Sequence, residues 1–146
     1  MTAINSQFVT CIMLIVALSS ISICRESVQP RKITKAEARE LVQASLPVRV
    51  ASYSDLCFEE LGENKYFPGY IGFQVLWNSP PTTSPNIGSF MVDPNTCDVW
   101  DAIVCKEYKS KKLKKFQEQI RKQIGLTKEE YRKLRPKYGP MCEGPD

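Results

Sequence analysis

The chain has 146 residues, which is enough for one domain with its own core and short for two. It has a formal net charge of +4 and no histidine, which excludes Ser-His and Cys-His nucleophilic catalysis and any His-ligated metal site. The charge is uneven: residues 106–137 hold 13 basic and 4 acidic side chains, whereas residues 25–105 hold 7 basic and 10 acidic ones. The positive charge therefore belongs to the C-terminal part of the chain.

The first 24 residues contain no Lys, Arg, Asp or Glu. Phe8 to Cys24 is a run of 17 apolar and small residues, shorter than the ~20 residues of a membrane-spanning helix. We therefore expect a signal peptide over residues 1–24, a linker over residues 25–33, and a secreted or periplasmic protein with no stable membrane insertion after cleavage. Because no basic residue precedes the run, a membrane anchor through residues 8–24 is the alternative.

A helix is predicted to begin after Thr34. The residues Thr34 to Glu37 have capping-box spacing, apolar side chains follow at helical intervals, and Pro47 ends the run. Beyond it, Val48 to Tyr53 alternates weakly and is interpreted as a strand, while residues 55–63 fit either a strand or a turn. Tyr70 to Trp77 alternates strictly, which predicts a strand with one buried face.

Prolines in the stretch from Asn78 to Asn86 predict a loop. Two further strands, Gly88 to Val92 and Val99 to Val104, flank the polar turn from Asp93 to Asp98. The oxygens of this turn resemble a hard-cation site, but their spacing does not match a calcium loop, so a hydrogen-bonded turn is the preferred interpretation.

After Cys105 the apolar period changes to that of a helix. Its apolar positions are Leu113, Phe116, Ile120 and Ile124, with Gly125 at the expected C-cap. A second capping box at Thr127 starts a short helix that Pro136 stops. The predicted fold is α+β: one N-terminal helix packed on a four-stranded antiparallel sheet in a core over residues 34–105, with a basic helical C-terminal extension over residues 106–146.

The helix start ITKAEARELV and the later stretch FMVDPNTCDVW resemble the PepSY-like group of exported domains, which share a cystatin-like helix-on-sheet shape. The last hairpin of that group often has an Asp-x-x-Thr-Gly turn followed by an acidic and an apolar residue. Asp93, Thr96, Asp98 and Val99 match this pattern, and Cys97 replaces the glycine. The resemblance implies non-catalytic binding or modulation outside the cytoplasm, and the substitution suggests that a disulfide fixes the turn in place of glycine.

Four cysteines remain after removal of the leader: Cys57, Cys97, Cys105 and Cys142. In an exported chain they predict two disulfides with three possible connectivities. A Cys97–Cys105 bond is disfavoured, because eight residues of one extended strand span ~26 Å. Of the other two connectivities we favour Cys57 with Cys97 and Cys105 with Cys142; free cysteines in a reduced compartment are the alternative.

The most favoured function is an inhibitor, immunity or accessory protein that binds an envelope or secreted enzyme, without cofactor, metal or nucleic acid. Loop aromatics suit protein contacts, and lysines suit an acidic protein partner. The predicted contact residues are Tyr66, Phe67, Tyr70, Trp77, Trp100, Lys111, Lys112, Lys114 and Lys115.

Two alternatives come from other functional classes. One is a hydrolase of cell-wall or glycan substrates that uses two carboxylates from Glu59, Glu60, Glu63, Asp98 and Asp101. The other is a structural envelope component that binds an anionic polymer through its lysine-rich helix.

Overall fold

The computed structural model describes residues 29–62, 68–78 and 86–135. The predicted signal peptide and the first four residues of the predicted linker therefore lie outside the described residues. The elements, in chain order, are α1 (Lys35–Ser45), α2 (Val48–Ala51), β1 (Leu56–Leu61), β2 (Ile71–Trp77), β3 (Asn86–Val92), β4 (Val99–Asp101), α3 (Lys111–Gln123) and α4 (Lys128–Leu134). This order confirms the predicted α+β class with one four-stranded sheet.

The sheet is antiparallel throughout and its strands follow one another in chain order, β1-β2-β3-β4. Phe73 of β2 lies opposite Phe90 of β3, and Val92 lies opposite Val99 of β4. Alternate residues therefore turn one apolar face toward α1, as the strict alternation of β2 predicts. The rings of Phe73 and Phe90 are each 2% exposed.

One core joins the sheet to α1 and α3. The core includes Leu41 and Val42 of α1, strand residues such as Val75, and Leu113 and Ile120 of α3. The residues on both sides of position 105 thus share a single core, although the sequence predicts a boundary there. Gly125, at φ 78°, ends α3 in the left-handed conformation expected of a C-cap glycine.

Two predicted strands need correction, and one stretch left open by the sequence is resolved. Val48 to Ala51 forms a helical turn, because the Pro47 carbonyl accepts the backbone N–H groups of Val50 and Ala51 at 2.9 Å. The ambiguous stretch is a strand, β1, because it pairs along β2. The last strand ends at Asp101 instead of continuing to Val104, because the Asp101 carboxylate accepts the N–H groups of Ile103 and Val104 at 2.8 and 3.0 Å and turns the chain.

Across the described ranges, no helix combines the length and apolar character needed to cross a bilayer.

The predicted capping box of α1 is present, and Arg31 extends it. Thr34 accepts the N–H of Glu37, and the Glu37 carboxylate accepts the N–H of Thr34. The Arg31 guanidinium also holds both Glu37 oxygens, at 2.6 and 2.9 Å. The hydrogen bond from Arg31, followed by the backbone hydrogen bond from Thr34, lowers the pKa of Glu37 from 4.5 to about 2.

This pKa shift predicts an acid-sensitive contribution to stability. Because the pKa of Glu37 is lower in the folded chain, its contribution is complete above pH 4.5 and is lost as the pH falls toward about 2. Urea unfolding of the wild type and Glu37→Gln should therefore show a difference in unfolding free energy that shrinks between pH 7 and pH 3. Glu40→Gln, at an exposed position of the same helix, is the control. A difference that does not change with pH would contradict the assignment.

Truncation of the α1 core face should be costly. Leu41 is fully buried, so Leu41→Ala should lower the unfolding free energy by about 2–5 kcal/mol through lost burial and a cavity. Val48→Ala, at a side chain that is 86% exposed, should change it by less than about 0.5 kcal/mol. Equal effects of the two substitutions in urea unfolding would mean that α1 does not pack as described.

Candidate functional site

The turn between β3 and β4 is closed by its own hydrogen bonds. The Asp93 N–H donates to the Asp98 carbonyl at 2.9 Å, and the Cys97 N–H donates to the Asp93 carbonyl at 2.9 Å. One Asp93 carboxylate oxygen accepts both the backbone and the side-chain N–H of Asn95. These contacts agree with the hydrogen-bonded turn that the sequence favours over a cation site.

Cys97 adopts the backbone conformation that glycine adopts most readily. Its φ is 63°, and its side chain is fully buried. The sequence suggested that a disulfide at Cys97 fixes the turn in place of glycine. This prediction is wrong, because the Cys97 thiol is free. Gln117 of α3 instead donates to the Cys97 carbonyl at 2.9 Å and ties the turn to the helix. Burial raises the pKa of Cys97 to about 12, which keeps the thiol protonated at neutral pH.

Asp98 is the polar centre of this region. Its side chain is 1% exposed and forms an ion pair with Arg121 of α3 at 2.7 Å. The Arg121 Nε also donates to the Thr96 carbonyl at 2.7 Å, so one guanidinium binds the turn at two points. Burial raises the pKa of Asp98, while the charge of Arg121 opposes that shift.

The same carboxylate holds α4. The Tyr131 hydroxyl donates to Asp98 at 3.1 Å, and the Arg135 Nε lies 3.7 Å from the other carboxylate oxygen. The Arg121 guanidinium lies 3.8 Å from the centre of the Tyr131 ring, a cation–π contact. No residue of α4 is fully buried, so its position depends on these contacts at Asp98, on the packing of the partly buried Tyr131 against the core and on the ion pair between Arg135 and Glu107.

A groove of about 1050 Å³ lies along α3, α4 and the segment that precedes α3. We call it the α3–α4 groove. Of its lining side chains, nine are basic and two are acidic. The basic ones are Lys109, Lys111, Lys114, Lys115, Arg121, Lys122, Lys128, Arg132 and Arg135, and the acidic ones are Glu107 and Glu118.

The four predicted lysines are divided between two sides of α3. Lys111 and Lys114 line the α3–α4 groove, whereas Lys112 lines a smaller cleft between α1 and α3. Lys115 borders both. All four are exposed, because the opposite side of the helix faces the core. That side carries the buried residues Leu113, Gln117 and Ile120. The sequence did not associate the basic residues of α4 with this surface.

The predicted aromatic contacts do not form one patch. Tyr70 packs with Trp100 on the sheet face away from α1, where Trp100 is 5% exposed. Trp77 lies at the other end of β2 and stacks on Tyr53, with ring centres 4.4 Å apart. Tyr66 and Phe67 lie outside the described residues.

The predicted Cys57–Cys97 bond is wrong, because both cysteines are free. Cys57 lies on β1, whereas Cys97 lies in the turn before β4. Three strand spacings, or ~14 Å, separate these edges of the sheet, beyond the reach of a disulfide. Cys105 is disulfide-bonded. Cys142 lies outside the described residues, so a bond between it and Cys105 stays a prediction.

The carboxylates proposed for a hydrolase lie on opposite edges of the sheet. Glu59 and Glu60 are on β1, where Glu60 binds Lys35 at 2.5 Å. Asp98 and Asp101 are at β4, where Asp101 accepts the Tyr108 hydroxyl at 3.0 Å. The ~14 Å across the sheet exceeds the ~5–9.5 Å between the carboxyl groups of glycoside hydrolases. The fifth candidate, Glu63, lies outside the described residues.

No protein-family model matches the chain, and no curated protein matches it. Among solved structures, the chain is similar to a chain of the type VI secretion system effector-immunity complex from Pseudomonas protegens. The match has a TM-score of 0.53 and 19% sequence identity, and it covers 75% of this chain and 93% of that chain. The two chains therefore share a fold.

Loss of the Asp98 charge should loosen α4. Asp98→Asn leaves Arg121 without its buried partner, which should lower the unfolding free energy by about 3 kcal/mol. Amide hydrogen exchange in α4 should accelerate more than exchange in α1. Asp55→Asn, at an exposed position, is the control for loss of an aspartate charge. Unchanged exchange in α4 would show that other contacts hold the helix.

Proposed function

We propose that the chain is a non-catalytic protein-binding domain that acts outside the cytoplasm as an immunity or inhibitor protein for a secreted or envelope enzyme. The observation that carries this proposal is the fixed basic face of α3. Leu113 and Ile120 anchor the helix in the core, so its exposed lysines are presented on a rigid support. A charged face on a rigid helix suits recognition of a protein, because little backbone freedom is lost on binding.

The shared fold supports the same proposal. The matched chain comes from an effector-immunity complex, in which two proteins bind each other. The match covers 93% of that chain, so the likeness extends over nearly its whole length rather than one motif. Transfer of an immunity role to the present chain is our inference.

An anionic envelope polymer is the second candidate, because lysines attract polymer phosphates or carboxylates as well as an acidic protein. The two candidates differ in stoichiometry and salt dependence. A polymer binds many copies of the chain and releases many counterions, so its affinity falls steeply with salt. A protein partner gives a defined complex with a milder dependence on salt.

The binding function can be tested with proteins encoded beside the gene of this chain. We expect one of them to form a defined complex with the purified chain, with a Kd below ~1 µM by calorimetry, and to lose its enzymatic or toxic activity in that complex. Raising the salt from about 50 to 200 mM should weaken the complex moderately. An encoded neighbour that is an active enzyme and is neither bound nor inhibited would count against the proposal, as would steep salt-dependent binding to an envelope polymer alone.

A further inference from the structure

We propose that the α3–α4 groove is the contact surface for the partner and that it takes an acidic, Asp- and Glu-rich protein segment. This inference rests on the proposed binding function and adds the site and the chemistry of its occupant. The groove is a candidate because its walls are basic and come from two helices that the fold holds at a defined position.

Each wall is held by a different means. The α3 wall is fixed by apolar burial, since Leu113 and Ile120 belong to the domain core. The α4 wall has no fully buried residue: Tyr131 packs against the core and binds Asp98, and Arg135 binds Asp98 and Glu107. Asp98 is therefore a positioning residue: it sets the second wall without reaching the groove surface, because its side chain is 1% exposed.

Part of the positive charge of the groove is already neutralised. Glu107 binds Lys109 at 2.9 Å and Arg135 at 2.5 Å, and Asp98 binds Arg121. Within the described part of the chain, the remaining groove cations form no ion pair with a carboxylate. They are Lys111, Lys114, Lys115, Lys122, Lys128 and Arg132.

This excess of positive charge on two neighbouring walls favours an anionic occupant. Like charges that face one another repel, and carboxylates placed between the walls would relieve that repulsion. The α3 wall is 13 residues, or ~20 Å, long, which matches about six or seven residues of extended peptide. Lys111, Lys114 and Lys122 lie along the length of this wall, and the acidic Glu118 lies between Lys114 and Lys122. Carboxylates of such a segment can therefore meet Lys111 and Lys114, which are about one turn apart, and Lys122, which is about two turns further along.

The aromatic rings of the groove favour a peptide over single-stranded nucleic acid. Nucleic acid needs open ring faces on which bases can stack. The two described rings that line the groove are both engaged: Tyr131 lies under Arg121, and Tyr108 stacks on Phe90 with ring centres 5.1 Å apart.

Matched charge reversals test the site. Lys114→Glu/Arg132→Glu changes one cation on each wall of the groove. The control, Lys32→Glu/Arg49→Glu, makes the same change in net charge at two exposed residues that lie outside the groove and outside the predicted contact residues. Urea unfolding of both variants confirms that they fold.

The probe is a fluorescein-labelled octaglutamate peptide, measured by anisotropy at about 50 mM salt. We expect the full chain to bind it, the groove variant to lose at least about tenfold in affinity, and the control variant to lose less than about threefold. Equal losses in both variants, no loss in the groove variant, or no binding by the wild type would overturn the proposal. Tighter binding of an octathymidylate than of octaglutamate would also overturn it.

The same variants separate this inference from the proposed function. If the wild type, the groove variant and the control all bind the natural protein partner equally well, the groove assignment is wrong and the binding function stands. If the wild type neither binds nor inhibits any encoded neighbour that is an active enzyme, the proposed function itself is wrong, whatever the peptide does.

Discussion

The buried ion pair between Asp98 and Arg121 is the interaction that connects the β3–β4 turn with the two C-terminal helices. One carboxylate, almost fully removed from water, joins the β3–β4 turn to α3 and, through Tyr131 and Arg135, to α4. A buried charge is costly unless it is fully partnered, so the partners of Asp98 are held close together. Asp98 therefore helps to set how α4 lies beside α3, which the core holds by apolar burial.

Local signals predicted much of the fold. Both capping boxes, at Thr34 and Thr127, are present, because each needs only a few consecutive residues. The alternation in β2 predicted the buried face of that strand, because this pattern also involves only a few consecutive residues. By contrast, Val48 to Ala51 has β-branched residues yet forms a helical turn, and β1 became recognisable only through its pairing with β2. Those outcomes depend on tertiary context, which overrides weak propensity.

The candidate site was harder to predict, because its contacts connect distant residues. Arg121 and Tyr131 lie 23 and 33 positions from Asp98, and their approach depends on how α3 and α4 cross the turn. Sequence did locate the lysines of α3, since a basic stripe beside an apolar one is a local pattern. The sequence did not show which of these lysines line the α3–α4 groove and which line the cleft beside α1. The PepSY-like resemblance and the signal peptide stay predictions.

We propose that the partner binds between α3 and α4. Backbone amide NMR of the chain, recorded during titration with its protein partner, tests this most directly. The largest shift changes should occur in Lys111–Gln123 and Lys128–Leu134, with little change in α2. Changes confined to the opposite sheet face, around Leu61, Tyr70 and Met91, would contradict it.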